Sequence, residues 1–157
     1  MTTPRPQIGD IAPIVSLPRD GGDIISLSDF AGQKVVLYFY PKDDTPGCTK
    51  EAIGFTEMAD EFGQAGIVVI GVSKDSVKKH DKFRDKYDLK VILLSDENGT
   101  TCEDYGVWVE KNMYGKTYMG IERATFLIGP DGKIAQVWSK VKVPGHVEEV
   151  LEAAKSL

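Results

Sequence analysis

The sequence predicts an α/β fold, a three-layer sandwich with a mixed central sheet and an N-terminal β-hairpin. Three observations carry this. Residues 35–40, 67–72 and 91–94 are apolar runs without polar alternation, which read as strands covered on both faces. Segments of helical character separate them, as parallel pairing requires. A hairpin and a helix close the chain, so antiparallel pairing joins the sheet late.

The elements follow in order. Residues 14–17 and 24–27 flank Asp20-Gly21-Gly22-Asp23 and predict the N-terminal hairpin. Ser28-Asp29-Phe30 is a short helical turn before the first central strand. A loop from Pro41 to Asp44 leads to a helix with Thr45 at the N-cap and Pro46 at the first helical position, where its missing N–H is not needed. Cys48, Ala52, Phe55, Ala59 and Phe62 fall on one stripe of that helix, which ends at Gly63 or Gly66. After the second strand, Ser73 or Asp75 caps a polar helix running to about Tyr87. A turn at residues 96–99 and a short helix over 100–105 follow the third strand. Residues 124–128 and 133–138 form a hairpin across Gly129-Pro130-Asp131-Gly132, and a helix from Pro144 to about Ala154 ends the chain. The βαβαβ order with a terminal hairpin and helix is thioredoxin-like.

Composition narrows the function. The 157 residues suit one domain over 1–157, long enough to fold without disulfides or metal. Nineteen basic and 24 acidic side chains give a net charge of −5 with no basic stripe, which argues against a nucleic-acid partner. No apolar run approaches the ~18 residues of a membrane span, and the first residues lack a secretory pattern. Two cysteines, Cys48 and Cys102, and two histidines, His80 and His146, make neither a disulfide framework nor a zinc pattern. A cytoplasmic protein with reduced thiols is expected.

Cys48 is the residue most able to carry chemistry. It sits at the third position of its helix, where unpaired N–H groups and the helix dipole favour negative charge. The flanking charges do not help: Lys42 and Lys50 are offset by Asp43, Asp44 and Glu51. Negative charge on the sulfur needs the helix end and a cation brought in by folding. The same stripe equally suits an inert core thiol, and Thr45 equally suits a plain cap.

Pro41-Lys42-Asp43-Asp44-Thr45-Pro46-Gly47-Cys48 resembles the peroxiredoxin active-site pattern Pro-x-x-x-Thr-x-x-Cys. The run through Thr49-Lys50-Glu51-Ala52 is similar to the Q-type, bacterioferritin comigratory protein branch. The likeness extends to Tyr105-Gly106-Val107-Trp108 and to Ile121-Glu122-Arg123-Ala124-Thr125-Phe126-Leu127-Ile128, and covers the chain from about Ile8 onward.

That resemblance implies a thiol-dependent peroxidase for hydrogen peroxide and organic hydroperoxides, serving antioxidant defence and cell redox homeostasis. Cys48 matches the peroxidatic cysteine, which becomes a sulfenic acid. Thr45 matches the hydroxyl that hydrogen-bonds thiolate and peroxide, Arg123 the arginine that completes the site, and Pro41 the residue that shields it from water. No metal, haem, flavin or other cofactor is implied. The partners are a peroxide and an external thiol (thioredoxin, glutaredoxin or glutathione), and a monomer or weak dimer is expected. Without the resemblance, Arg123 reads as a surface arginine at a strand end.

Charge on the sulfur is not sufficient for such chemistry. A free thiol of pKa about 8.5 is roughly 5–10% thiolate near neutrality, so lowering the value to ~6 gains only about 13-fold. The accompanying loss of nucleophilicity, ~1.1 log units, cancels that gain. The site must instead stabilise charge moving along the O–O bond.

The sequence also departs from the family. Many members carry a resolving cysteine five residues after the first, where this chain has Ile53 at about 140° around the helix. Others place it in the next helix, roughly at His80-Asp81-Lys82-Phe83-Arg84, which has none. Cys102 matches neither position, and its acidic neighbours disfavour it as an attacking thiolate. A one-cysteine cycle is therefore expected, with resolution by Cys102 as the alternative. A thiol–disulfide oxidoreductase is a further alternative, but it wants a second thiol where Glu51 stands. Trp108, Tyr114 and Tyr118 suit the site mouth or an aromatic loop packed on the core, and His80 and His146 are expected at the surface or as caps.

Overall fold

The computed structural model describes residues 4–157; Met1, Thr2 and Thr3, the start of the segment inspected for a leader, lie outside it. The centre is a five-stranded sheet of order β5-β4-β3-β8-β9. Strands β3 (Lys34–Phe39), β4 (Ile67–Ser73) and β5 (Ile92–Ser95) pair in parallel, and β8 (Ala124–Ile128) and β9 (Ile134–Trp138) add antiparallel. The mixed sheet predicted from the apolar runs is present. The N-terminal hairpin is β1 (Ser16–Pro18) with β2 (Ile24–Ser26).

Alternation along β3 divides the core. Val36, Tyr38 and Tyr40 point to one face, where α1 (Pro46–Glu57), α2 (Ala59–Gln64), α3 (Val77–Tyr87) and α5 (His146–Lys155) pack. Val35, Leu37 and Phe39 point to the other, against the N-terminal hairpin and α4 (Thr101–Asp104). Burial on both faces is why these strands show no polar alternation.

Four features differ from the sequence expectation. The predicted single helix after Thr45 relaxes at Met58 (φ −100°, ψ 13°). Bonds from Met58 N–H to Gly54 O and from Phe62 N–H to Met58 O still carry the buried stripe on to Phe62. The cap of α3 is Ser76, whose hydroxyl accepts from the Lys79 N–H; Ser73 and Asp75 instead bond each other. A further hairpin, β6 (Trp108–Met113) with β7 (Lys116–Ile121), stands where no strand was expected. Its two-residue turn puts Tyr114 and Gly115 at φ 53° and 78°, and tyrosine in place of the usual asparagine or aspartate hides the signal. Finally, both histidines are buried, not superficial. His146 Nε2 bonds the Thr125 hydroxyl at 2.8 Å, and His80 is tied into the loop before Thr45.

Candidate active site

The strand β3 ends at Phe39, and residues 40–45 carry the chain over the sheet edge into α1. Thr45 is the N-cap and Cys48 the third helical residue, as the spacing predicts, and Cys48 is only 2% exposed. The Thr45 side chain does not cap the helix. Its hydroxyl donates to the Lys42 carbonyl at 2.8 Å, so towards a ligand the Thr45 oxygen is an acceptor. Pro46 has no N–H, which leaves those of Gly47 and Cys48 as the unpaired donors of the first turn.

The cation demanded by Cys48 is Arg123, on the connection between β7 and β8. One terminal nitrogen donates to Cys48 Sγ at 3.3 Å and the other to Glu51 Oε1 at 2.7 Å. Gly47 makes this approach possible, because a Cβ there would stand 3.0 Å from the nearer nitrogen. Burial opposes charge on Arg123, but Glu51 and Cys48 outweigh it and the guanidinium stays charged. Cys48, Thr45 and Arg123 thus come together at one end of α1. Pro41 is half-buried at the head of the loop.

Glu51 was missed because the stripe was read from apolar residues alone. It lies on the buried face of α1 with Cys48, Ala52 and Phe55, and is 0% exposed. A glutamate on that face is a signal, since a buried carboxyl requires a cation. Burial pushes its pKa up to about 7, against the opposing pull of Arg123. Its Oε2 and the neighbouring Tyr38 hydroxyl are buried without partners.

His80 was also missed. Its Nδ1 lies 2.6 Å from Asp43 Oδ2 and its Nε2 2.9 Å from the Leu94 carbonyl, so both nitrogens face acceptors. Burial disfavours the charged ring, but Asp43 and the Leu94 carbonyl overcome it and raise its pKa. The Tyr40 hydroxyl donates to the other oxygen of Asp43, and the Asp43 N–H donates to Asp75. These bonds tie the loop before Cys48 to α3 and β5.

Ile53, which its angle around the helix sets apart from the Cys48 stripe, is nevertheless partly buried against the helical side of the core. Cys102 is 0% exposed on the opposite face of the sheet from Cys48. Burial and the adjacent Asp96 push its pKa far up. Trp108 packs on the core beneath Lys74, whereas Tyr114 and Tyr118 are exposed on the β6–β7 hairpin. Among the described residues no group of three His, Cys, Asp or Glu side chains gathers to hold a metal ion. No helix there is long and apolar enough to cross a membrane.

The chain is similar to known proteins over most of its length. Residues 8–137 match the model of the AhpC/TSA family. The chain is 59% identical over 145 residues to a putative peroxiredoxin Bcp of Coxiella burnetii, covering 92% of this chain and 96% of that protein. It is 47% identical over 151 residues to peroxiredoxin Bcp of Bacillus subtilis, covering 96% of each. Among solved structures, peroxiredoxin Q of Xanthomonas campestris is similar with a TM-score of 0.86 and 48% identity, over 90% of each chain. A mutant peroxiredoxin Q of Xylella fastidiosa is similar with a TM-score of 0.91 and 43% identity, over 98% of each.

Proposed function

The chain belongs to the AhpC/TSA family, in its Bcp or Q-type peroxiredoxin branch, and on that premise we propose that Cys48 is the cysteine that meets the peroxide. Thiol-dependent peroxide reduction is the activity of the chain; the residues that perform it are our reading. The observation that carries it is the Arg123 fork, which holds Cys48 Sγ and Glu51 at once.

In the oxidative step the Cys48 thiolate attacks one peroxide oxygen. The S–O bond forms, the O–O bond breaks, and the second oxygen leaves with the bonding pair and takes up a proton to become water or an alcohol. The Thr45 oxygen, its own proton committed to Lys42, accepts from the peroxide O–H and orients it. Arg123 and the N–H groups of Gly47 and Cys48 face the charge that develops along the breaking bond. Pro41, at the head of the loop, limits water. Organic hydroperoxides are included as substrates, since the Xanthomonas campestris relative has a described alkyl peroxide reduction activity.

In the reductive step an external thiol condenses with the Cys48 sulfenic acid, releasing water and leaving a mixed disulfide. A second thiol then releases the disulfide product and restores Cys48. Three features support a one-cysteine cycle: the isoleucine at position 53, the lack of any cysteine in α3, and the sheet that lies between Cys48 and Cys102. Thioredoxin, glutaredoxin and glutathione all fit that requirement. Glu51, engaged by Arg123, stands where a thiol–disulfide oxidoreductase would need its second thiol.

Hydrogen peroxide consumption with dithiothreitol tests the reading. Cys48→Ser abolishes turnover and Cys102→Ser preserves it. Turnover that survives in Cys48→Ser, or disappears in Cys102→Ser while the protein stays folded, contradicts the assignment.

A further inference from the structure

A cleft of about 330 Å³ opens between the loop before Thr45 and one face of α3. Lys42 and Asp44 form its loop side. Lys79, Lys82 and Lys86, spaced three and four residues apart and so on one helical face, form the other, over the buried ring of Phe83. Every carboxylate that lines the cleft is already engaged. Asp43 holds Tyr40 and His80, and Asp75 holds the Ser73 hydroxyl and the Asp43 N–H. Asp44 holds Lys86 at 2.8 Å and the Tyr87 hydroxyl at 2.6 Å. The other lysines are exposed and unmatched: among the described residues Lys42, Lys79 and Lys82 make no ion pair and no side-chain hydrogen bond. The helix α3 carries five basic side chains against two acidic ones, on a chain whose net charge is −5. The cleft is thus a cationic, concave site of small-molecule size with an apolar floor.

This cleft adjoins the reacting cysteine. The Lys42 carbonyl accepts from the Thr45 hydroxyl, and the Thr49 N–H donates to the Thr45 carbonyl. Thr45 therefore stands one helical turn from Cys48 and Asp44 one Cα step further, which puts the cleft wall within roughly 10 Å of the Cys48 backbone. An extended tripeptide is about as long. Resting on the reading of Cys48 as the peroxidatic residue, we propose that the cleft binds the external reductant, a small thiol bearing two carboxylates such as glutathione. Its carboxylates pair with the unmatched lysines while its sulfur reaches the start of α1. The bound thiol attacks the Cys48 sulfenic acid: an S–S bond forms, the S–O bond breaks, and the oxygen leaves as water with the proton of the thiol. A second thiol attacks the small-thiol sulfur of that mixed disulfide, giving the free disulfide and returning the electron pair and a proton to Cys48. No group of the cleft reacts; it concentrates an anionic thiol beside Cys48 and does nothing for an uncharged one.

Removing the charges from either side tests this. Peroxide-dependent turnover is measured with glutathione and with its diethyl ester, which keeps the thiol and lacks both anionic groups, in the native chain and in the double variant Lys79→Gln with Lys82→Gln. Both lysines are exposed and unpaired, so the variant is expected to fold. The native chain is expected to use glutathione about five- to tenfold more efficiently than the ester, the worth of two exposed lysine–carboxylate pairs, and the variant to lose that preference. A native chain that treats the two thiols alike, one that glutathione does not reduce, or a preference that survives in the variant overturns the proposal. Dithiothreitol separates this from the assignment of Cys48. Turnover with dithiothreitol that needs Cys48, without any preference for glutathione over its ester, sinks the cleft alone; turnover by Cys48→Ser sinks the assignment.

Discussion

Glu51 is sealed from solvent with one oxygen on Arg123 and the other without a partner, a costly arrangement for an ion. Its pKa is raised to about 7, so the folded chain holds a proton that the unfolded chain releases at lower pH. The stability this contributes is complete below the ordinary carboxyl range near 4.3 and is lost as pH rises towards 7. Glu51→Gln keeps an acceptor for Arg123 and removes the titration. Thermal unfolding across pH 4–8 is expected to show a flatter profile for this variant than for the native chain; parallel profiles would contradict the account. Thr45 gives a second test at this scale. Because its hydroxyl caps nothing and bonds only the Lys42 carbonyl, Thr45→Val is expected to cost under about 1 kcal/mol of stability. Peroxide reactivity should nevertheless fall more than about tenfold in stopped-flow oxidation of Cys48. A loss under threefold would confine the hydroxyl to the loop.

Between residue and molecule, the loop before Cys48 is held by a buried charge pair rather than by packing alone. With its ring charged, His80 donates from both nitrogens, to Asp43 and to Leu94, across the gap between the loop, α3 and β5. A ring whose pKa is raised on folding gives stability that is whole below about 6.5 and fades as pH rises through the folded value. Removing one partner of such a pair costs about 3–5 kcal/mol. His80→Asn is expected to lose stability of that order at pH 6 in denaturant unfolding, with a smaller deficit at alkaline pH. A deficit that does not change with pH would mean that the ring is neutral in the fold. The start of α1, the apolar strands and the Cys48 stripe were legible because each shows in local spacing. The Asp43–His80 pair was not, since its residues are 37 positions apart and only the fold makes them neighbours. The β6–β7 hairpin escaped for a local reason, its tyrosine-led turn. Glu51 was within reach, for its helical phase alone put it on the buried face.

For the whole molecule, the decisive feature is the sheet itself. The mix of parallel and antiparallel pairing was readable from the apolar runs and the late hairpin, and the five-stranded order that the structure gives them sets Cys48 and Cys102 in separate halves of the core. No sequence spacing could reveal that separation, which follows from strand pairing over long range. Cys102 is held by its own N–H on Asp96 and by α4, so joining it to Cys48 requires part of the core to open. The central claim, a one-cysteine peroxidase acting through Cys48, is tested most directly by mass spectrometry of the protein after excess hydrogen peroxide without added thiol. The monomer is expected to gain one and then two oxygens on the Cys48 peptide, as sulfenic and sulfinic acid, with Cys102 unmodified. A monomer that instead loses two hydrogens and yields a Cys48–Cys102 cross-linked peptide would contradict it.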